Sequence, residues 1–401
     1  MRRIAILAAL SLLFAAPATA QAPAEDREFA SVPFCDEVDG VESAVPERAR
    51  QILAARNACL LRGLPSVQEA LAIVGQDAIG LQLRGEEITV VLRASSRPRR
   101  LCCSLQAEPQ EIARGLWGFK ARLKLIDKAT LSFYPQEEGA KPLRYRGPEA
   151  QPRPAFAEAL EGQLLEPTLA SRQLGEVRQL TVYLPPGHDR AKTYPLLVMG
   201  DGAWLKTYAG FLDPLIASGE LPPFVALGVD SGPRAILGGP QRPGRNARAA
   251  DYLPGYEGDR FDRHLAFVAD EAIPWMVATY GASARTEERI VSGASQAGVF
   301  AMHAAYRRPD VFGHALAFSP GFKPIDAAGA PRPAGGLSPR FFFSAGLYEA
   351  PYWLNAKQSA EALAQAGYRT AFMPFAAGHD HMQWELAFLA GLKAALATPE
   401  G

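Results

Sequence analysis

From residue 162 onward the chain repeats one grammar: a short apolar run, a polar or glycine-rich loop, then a helical pattern in the later units. The runs fall at residues 180–184, 195–199, 224–229, 290–292, 315–318, 341–344 and 370–374. Short runs that are apolar throughout belong to strands buried on both faces. Alternation with helices specifies a mostly parallel, doubly wound α/β sheet, in which ligands collect beyond the carboxyl ends of the strands. Residues 161–398 are therefore assigned to one α/β domain.

The first part of the chain follows a different pattern. At 401 residues the sequence is longer than one core usually organises, so a second domain is expected. Residues 45–62 carry apolar positions at helical spacing, followed by a Gly-Leu-Pro stop, which predicts one helix. Residues 88–93, 116–125 and 129–134 are β-rich between polar turns and predict a small antiparallel, β-sandwich-like domain over residues 21–147. The proline-rich stretch after Gly147 reads as a linker over residues 148–160.

Residues 1–20 show a basic start (Arg2, Arg3), an apolar run from Ile4 to Ala16 and small residues at Ala18 and Ala20. This is the pattern of a secretory signal peptide, and it predicts export to the periplasm or beyond, with no membrane attachment after cleavage. The 42 basic and 42 acidic residues balance, which excludes the electrostatic footprint of a nucleic-acid binder and leaves small molecules as the expected partners. Four cysteines, Cys35, Cys59, Cys102 and Cys103, all lie in the first third, and an oxidising compartment favours their pairing. The preferred arrangement joins Cys35 and Cys59 to the vicinal pair, one each, although three connectivities are open. They carry no metal-site spacing, and no metal or organic cofactor is expected.

The chemistry is concentrated in Ser292-Gly293-Ala294-Ser295-Gln296-Ala297-Gly298, where a short apolar strand runs into a helix. A serine on such a turn has a strained backbone and an exposed hydroxyl, and small residues two before and two after it let strand and helix approach. Gly293 and Ala297 fill those places, alanine standing where glycine is usual. Hydrolases that use this turn place an acid and then a histidine later in the chain. Glu349 follows the run at 341–344, and His379 follows the run at 370–374. The expected site is thus Ser295 as nucleophile, His379 as general base and Glu349 as the acid that orients it, in an α/β-hydrolase. His381 is the rival base and Asp380 the rival acid. Oxyanion donors are expected from the backbone of Gln296 and, in the Gly200-Asp201-Gly202 loop, from Ala203 or Trp204.

Several segments together resemble the esterase family that includes enterochelin esterases, feruloyl esterases, S-formylglutathione hydrolases and mycolyltransferases. They are Ser171-x-x-Leu174-Gly175-x-x-Arg178, Val182 to Gly187, Asp201-Gly202 with Trp204, Arg248-x-x-Asp251, Gly293-x-Ser295, and Gly378-His379-Asp380 with Trp384. The resemblance implies the same Ser295, Glu349 and His379 triad. Within the family the chain most resembles the enterochelin-esterase branch, which also carries a β-sandwich before its hydrolase domain. Hydrolysis of a small-molecule carboxylic ester through an acyl-serine is expected, with a siderophore trilactone as the leading substrate. A general or feruloyl-type carboxylesterase, an acyltransferase and a catalytically silent binding protein are the alternatives. Arg248, Trp204 and Trp384 are the expected substrate-binding residues; Arg234, Arg242 and Arg245 share Arg248's loop and read as solvated.

Overall fold

A computed structural model describes residues 32–36, 47–98, 101, 104–135, 141–232, 246–321, 323–327 and 338–397. The predicted signal peptide, Cys102, Cys103, Arg234, Arg242 and Arg245 lie outside the described residues.

The first part contains α1 (Glu47–Ala54), β1 (Ala58–Leu61), α2 (Val67–Val74), β2 (Ile79–Arg84), β3 (Glu87–Arg93), β4 (Gln110–Ala113), β5 (Leu116–Leu123), β6 (Thr130–Phe133) and β7 (Leu143–Arg146). Strands β1-β5-β3-β2 form an antiparallel sheet with β4 added on β5, and β6 pairs with β7 as a separate hairpin. Ile88, Val90 and Leu92 of β3 and Phe119 and Leu123 of β5 share a buried cluster with Leu131 and Phe133 of β6. Phe119 and Phe133 meet edge to face at 6.1 Å.

Two expectations for this part are corrected. The helix predicted over residues 45–62 stops at Ala54, and Ala58–Leu61 pairs with β5 instead, because the apolar Cys59-Leu60-Leu61 run finds ladder partners at Arg122, Ala121 and Lys120. A second helix, α2, begins at a capping box in which Ser66 and Glu69 satisfy each other's backbone N–H groups. Cys35 also pairs with Cys59 and not with the vicinal cysteines. The parallel bridge between Phe34 and Leu60 brings the two thiols side by side, a contact invisible to spacing.

The second part runs β8 (Gln163–Leu165), β9 (Thr168–Ser171), β10 (Glu176–Leu184), β11 (Leu196–Gly200), α3 (Leu205–Ala217), β12 (Val225–Val229), α4 (Ala247–Tyr252), α5 (Arg260–Phe267), α6 (Ile273–Tyr280), β13 (Arg289–Ala294), α7 (Gln296–Arg307), β14 (His314–Phe318), β15 (Arg340–Ser344), α8 (Ala350–Gln365), β16 (Arg369–Phe372) and α9 (His381–Leu396). The strand order is β16-β15-β14-β13-β11-β12-β10-β8, with β9 on β10. Strands β11 to β16 are parallel, and β10 runs against β12. One face buries Tyr252, Phe261, Phe300 and Leu363 from α4, α5, α7 and α8; the other buries Phe211 and Leu212 from α3 with Phe388 and Leu392 from α9. This is an α/β-hydrolase fold, and every apolar run of the sequence reading is one of its strands. Among the described residues no helix is long and apolar enough to cross a membrane.

The predicted linker is pinned to the second part. Arg153 forks onto Glu385 at 2.5 and 2.6 Å, and Phe156 packs on Phe211 at 5.4 Å. The two parts also join directly, through Thr130 N–H to the Ala376 carbonyl at 2.9 Å and Tyr348 Oη to the Lys124 carbonyl at 2.7 Å.

Candidate active site

Strand β13 delivers Ser295 to a sharp turn. Its backbone sits at φ 58° and ψ −124°, a conformation that non-glycine residues avoid, and α7 starts at the next residue. Close packing explains the small residues around it. A Cβ on Gly293 would stand 2.2 Å from the Ala297 carbonyl oxygen, so the first small position is obligatory. Ala297 is tolerated in place of glycine because Gly200 lies opposite: a Cβ there would meet the Ala297 methyl at 2.9 Å.

The histidine arrives on the loop after β16. His379 Nδ1 lies 2.6 Å from Glu349 Oε2, and the ring is largely buried, with 14% of its side chain exposed. Glu349 stands at the loop after β15, and its other oxygen accepts from Ser319 Oγ at 2.5 Å and from the Gly346 N–H at 2.6 Å. Both carboxylate oxygens are thereby aimed, and the imidazole is left with its Nε2 edge for the pocket. Tyr352 lies against His379 at 4.2 Å between ring centres, and Trp384 meets it edge-on at 4.9 Å. Asp380, the rival acid, points elsewhere, capping α9 through the Met382 N–H at 2.8 Å.

Ser295, His379, Ala203, Trp204, Arg248 and Trp384 line one cavity of about 360 Å³ at the carboxyl ends of the parallel strands. Another cleft of about 480 Å³ lies at the opposite ends and is lined by Arg285, Arg340 and Arg369, remote from the serine. The site cavity has an aromatic wall. Trp204, 41% exposed, lies tilted against His381 with ring centres 3.9 Å apart, and His381 meets Trp384 edge-on at 5.1 Å. Burial holds the His381 imidazole below its usual value, against the raising influence of Asp380.

The expected oxyanion donors differ in their availability. Gln296 is the first residue of α7, where backbone N–H groups have no partner within the helix. By contrast, Ala203 N–H donates to Asp230 Oδ1 at 2.8 Å, and Trp204 N–H donates to the Asp201 carbonyl at 3.0 Å. Arg248, expected to bind substrate, is engaged by groups of the protein itself. Its guanidinium forks onto Asp201 at 2.8 and 2.6 Å and reaches Gln296 Oε1 at 3.1 Å and the Ala294 carbonyl at 3.2 Å. It braces the Asp201 loop against the serine turn, with its charge matched by Asp201.

The Arg178 and Asp251 of the sequence motifs form a buried clamp. Arg178 is fully buried; it donates to the Asp230 carbonyl at 3.0 Å and to Asp251 Oδ2 at 2.8 Å. Asp251 also accepts from Gly232 N–H at 2.8 Å and Arg260 Nε at 2.6 Å. Gly232, Asp230 and the helix α4 that carries Arg248 are held together there. Three contributors went unnoticed in the sequence: Ser319, Tyr352 and Asp230. Ser319 and Asp230 each left a trace as a polar residue just past an apolar run, and Ser319 shares that place with Asp201 and Ser295. Ser319, Asp201 and Ser295 adopt positive φ, at 43°, 53° and 58° respectively.

No curated protein matches the sequence. In fold the chain is similar to an enterochelin esterase from Shigella flexneri, at 16% identity and a TM-score of 0.58, over 80% of this chain and 96% of that one. It is likewise similar to the ferric enterobactin esterase from Salmonella typhimurium, at 17% identity and a TM-score of 0.56, over 80% and 97% of the two chains. A ferulic acid esterase from Anaeromyces mucronatus matches over 59% of this chain and 92% of its own, with 17% identity and a TM-score of 0.47. Residues 171–366 match the family model described as "Putative esterase".

Proposed function

We propose that the protein is an exported serine esterase that hydrolyses a carboxylic ester through an acyl-serine intermediate. The observation that carries this reading is the strained Ser295 turn opening into the same cavity as a histidine aimed by a buried glutamate. In the proposed reaction Ser295 Oγ attacks the ester carbonyl and passes its proton to His379 Nε2. Glu349 accepts a hydrogen bond from Nδ1–H, holds the ring in that tautomer and stabilises the imidazolium. The proton then goes to the leaving alkoxide, and water repeats the sequence to free the acid. Gln296 N–H faces the developing oxyanion, and Ala203 N–H joins it when Asp230 releases that hydrogen.

The aromatic wall of Trp204, His381 and Trp384 supports an aryl-bearing ester, a chemistry common to catecholate siderophore esters and feruloyl esters. A sheet domain preceding the hydrolase domain, divided at residues 148–160, supports the enterochelin-type substrate. The Cys35–Cys59 disulfide supports an oxidising compartment after export.

Hydrolysis of p-nitrophenyl acetate and butyrate by the mature protein, run beside Ser295→Ala, tests the proposal. Turnover that disappears in the variant is expected; equal turnover in both would refute Ser295 as nucleophile.

A further inference from the structure

We propose that Asp380, gripped by Ser104 and Ser132, is a positioning residue for His379, which makes the N-terminal layer a working part of the catalytic site. The inference rests on the reading of Ser295 and His379 as a catalytic pair. Asp380 is fully buried. Its Oδ2 accepts from Ser104 Oγ at 2.5 Å and Ser132 Oγ at 2.8 Å, while Oδ1 accepts from the Met382 N–H at 2.8 Å. Ser104 Oγ in turn accepts from the Ser132 N–H at 2.7 Å, so the two serines are locked to each other before they reach the aspartate.

The backbone closes the same seam on both sides of the histidine. A Cβ on Gly378 would stand 1.6 Å from the Ser104 carbonyl oxygen, so residue 378 must be glycine for the loop to sit against the N-terminal layer. Two residues earlier, Ala376 accepts from Thr130 N–H at 2.9 Å. The acid's loop is tied down by the same layer through Tyr348 Oη, which donates to the Lys124 carbonyl at 2.7 Å, and it is joined to the histidine's loop by Tyr348 N–H, which donates to the Ala377 carbonyl at 3.0 Å. His379 and Glu349 therefore keep their 2.6 Å approach between two loops that both lean on residues of the first sheet and hairpin. A buried aspartate deprived of its two hydroxyl donors has to find other partners, and the loop has to shift to supply them.

The test is the double variant Ser104→Ala/Ser132→Ala in the full-length mature protein. Two quantities are read: the rate of fluorophosphonate labelling at Ser295, and kcat and KM on p-nitrophenyl butyrate. Labelling rate and kcat should fall together, on the order of 10- to 100-fold, with KM within about two-fold, because a misplaced base slows chemistry without removing the binding wall. Ser132→Thr, which keeps the hydroxyl, should restore most of the rate. Ser66→Ala, which removes the α2 cap far from the seam, controls for lost stability; Ser104→Ala alone serves if the double variant does not fold. Wild-type labelling and turnover in a folded double variant would overturn the inference, as would an equal loss in Ser66→Ala. Failure of the wild-type protein to label at Ser295, with turnover surviving in Ser295→Ala, would overturn the nucleophile reading itself and this inference with it.

Discussion

Two sets of buried carboxylates stand at the same edge of the parallel sheet, and they are held in opposite ways. Asp251 is enclosed by guanidinium groups: Arg178 and Arg260 bond it directly, and Glu176 links back to both arginines. Burial works to raise its carboxyl, yet His264, Arg178 and Arg260 hold it down to about 2. Glu349 and Asp380 are held by hydroxyls and backbone amides, and Glu349 has the His379 imidazole as a further partner. A carboxylate locked to permanent cations fixes a loop. A carboxylate bonded to hydroxyls and amides carries no permanent counter-charge, which suits the proton transfer proposed for His379. Holding and proton transfer thus call for different surroundings around the same chemical group.

The largest expected effect falls on the proton-transferring side. Glu349→Gln keeps the shape but favours the wrong histidine tautomer, and kcat/KM should fall on the order of 10³- to 10⁴-fold with little change in thermal midpoint. A loss below about tenfold would hand the orienting role to another group and dissolve the contrast. On the holding side, Asp251→Ala leaves Arg178 and Arg260 with Glu176 as their remaining acid and should cost about 3 kcal/mol in denaturant unfolding. An unchanged midpoint would mean that the cluster clamps nothing.

The smallest effect is a pH dependence of stability. Burial pushes the His264 imidazole down to about 4, and His303 and His314 behave alike. An unfolded histidine takes its proton near pH 6.5, so between about 6.5 and 4 the unfolded chain holds more protons and stability falls as pH drops. For His264 alone the loss approaches about 3 kcal/mol at the bottom of that window, and His264→Phe should flatten the thermal midpoint against pH correspondingly. Asp251 acts lower, since its depressed carboxyl gives stability that is present above about pH 4 and lost as pH falls toward 2. An acid melt that His264→Phe leaves unaltered would show that this ring already carries its proton beside Asp251.

The second part of the fold was legible because its central strands, buried on both faces, are apolar throughout; the partly exposed β16 stood out with them as the last of the seven runs. Ser295, Glu349 and His379 were legible for a related reason: each sits just past such a run. The first part was harder to read. Residues 58–61 continue a helical apolar spacing and became β1 only because β5 offers a partner more than fifty residues later in the chain. Residues 79–84 were passed over although they pair with β3 along their whole length. The cysteine pairing depended on the same non-local contact. Ser104 and Ser132 lie 276 and 248 residues from Asp380, and nothing in an isolated serine indicates a partner at that distance. Arg248 was legible as belonging to the site, but its bond to Asp201 was not, since charge compensation depends on geometry and not on residue type.

Asp201, Ser295 and Ser319 close three strands of one sheet in the left-handed region, where glycine would rest without strain. Replacing Asp201 or Ser319 with glycine should make the chain sturdier by the standards of backbone conformation and poorer as a tool, since each of those side chains holds another part of the site in register. An engineer ranking positions by strain alone would choose these residues first for repair. They mark instead the places where robustness was exchanged for usefulness, and a stabilisation campaign on this protein should leave them untouched and begin among the surface residues of the first sheet.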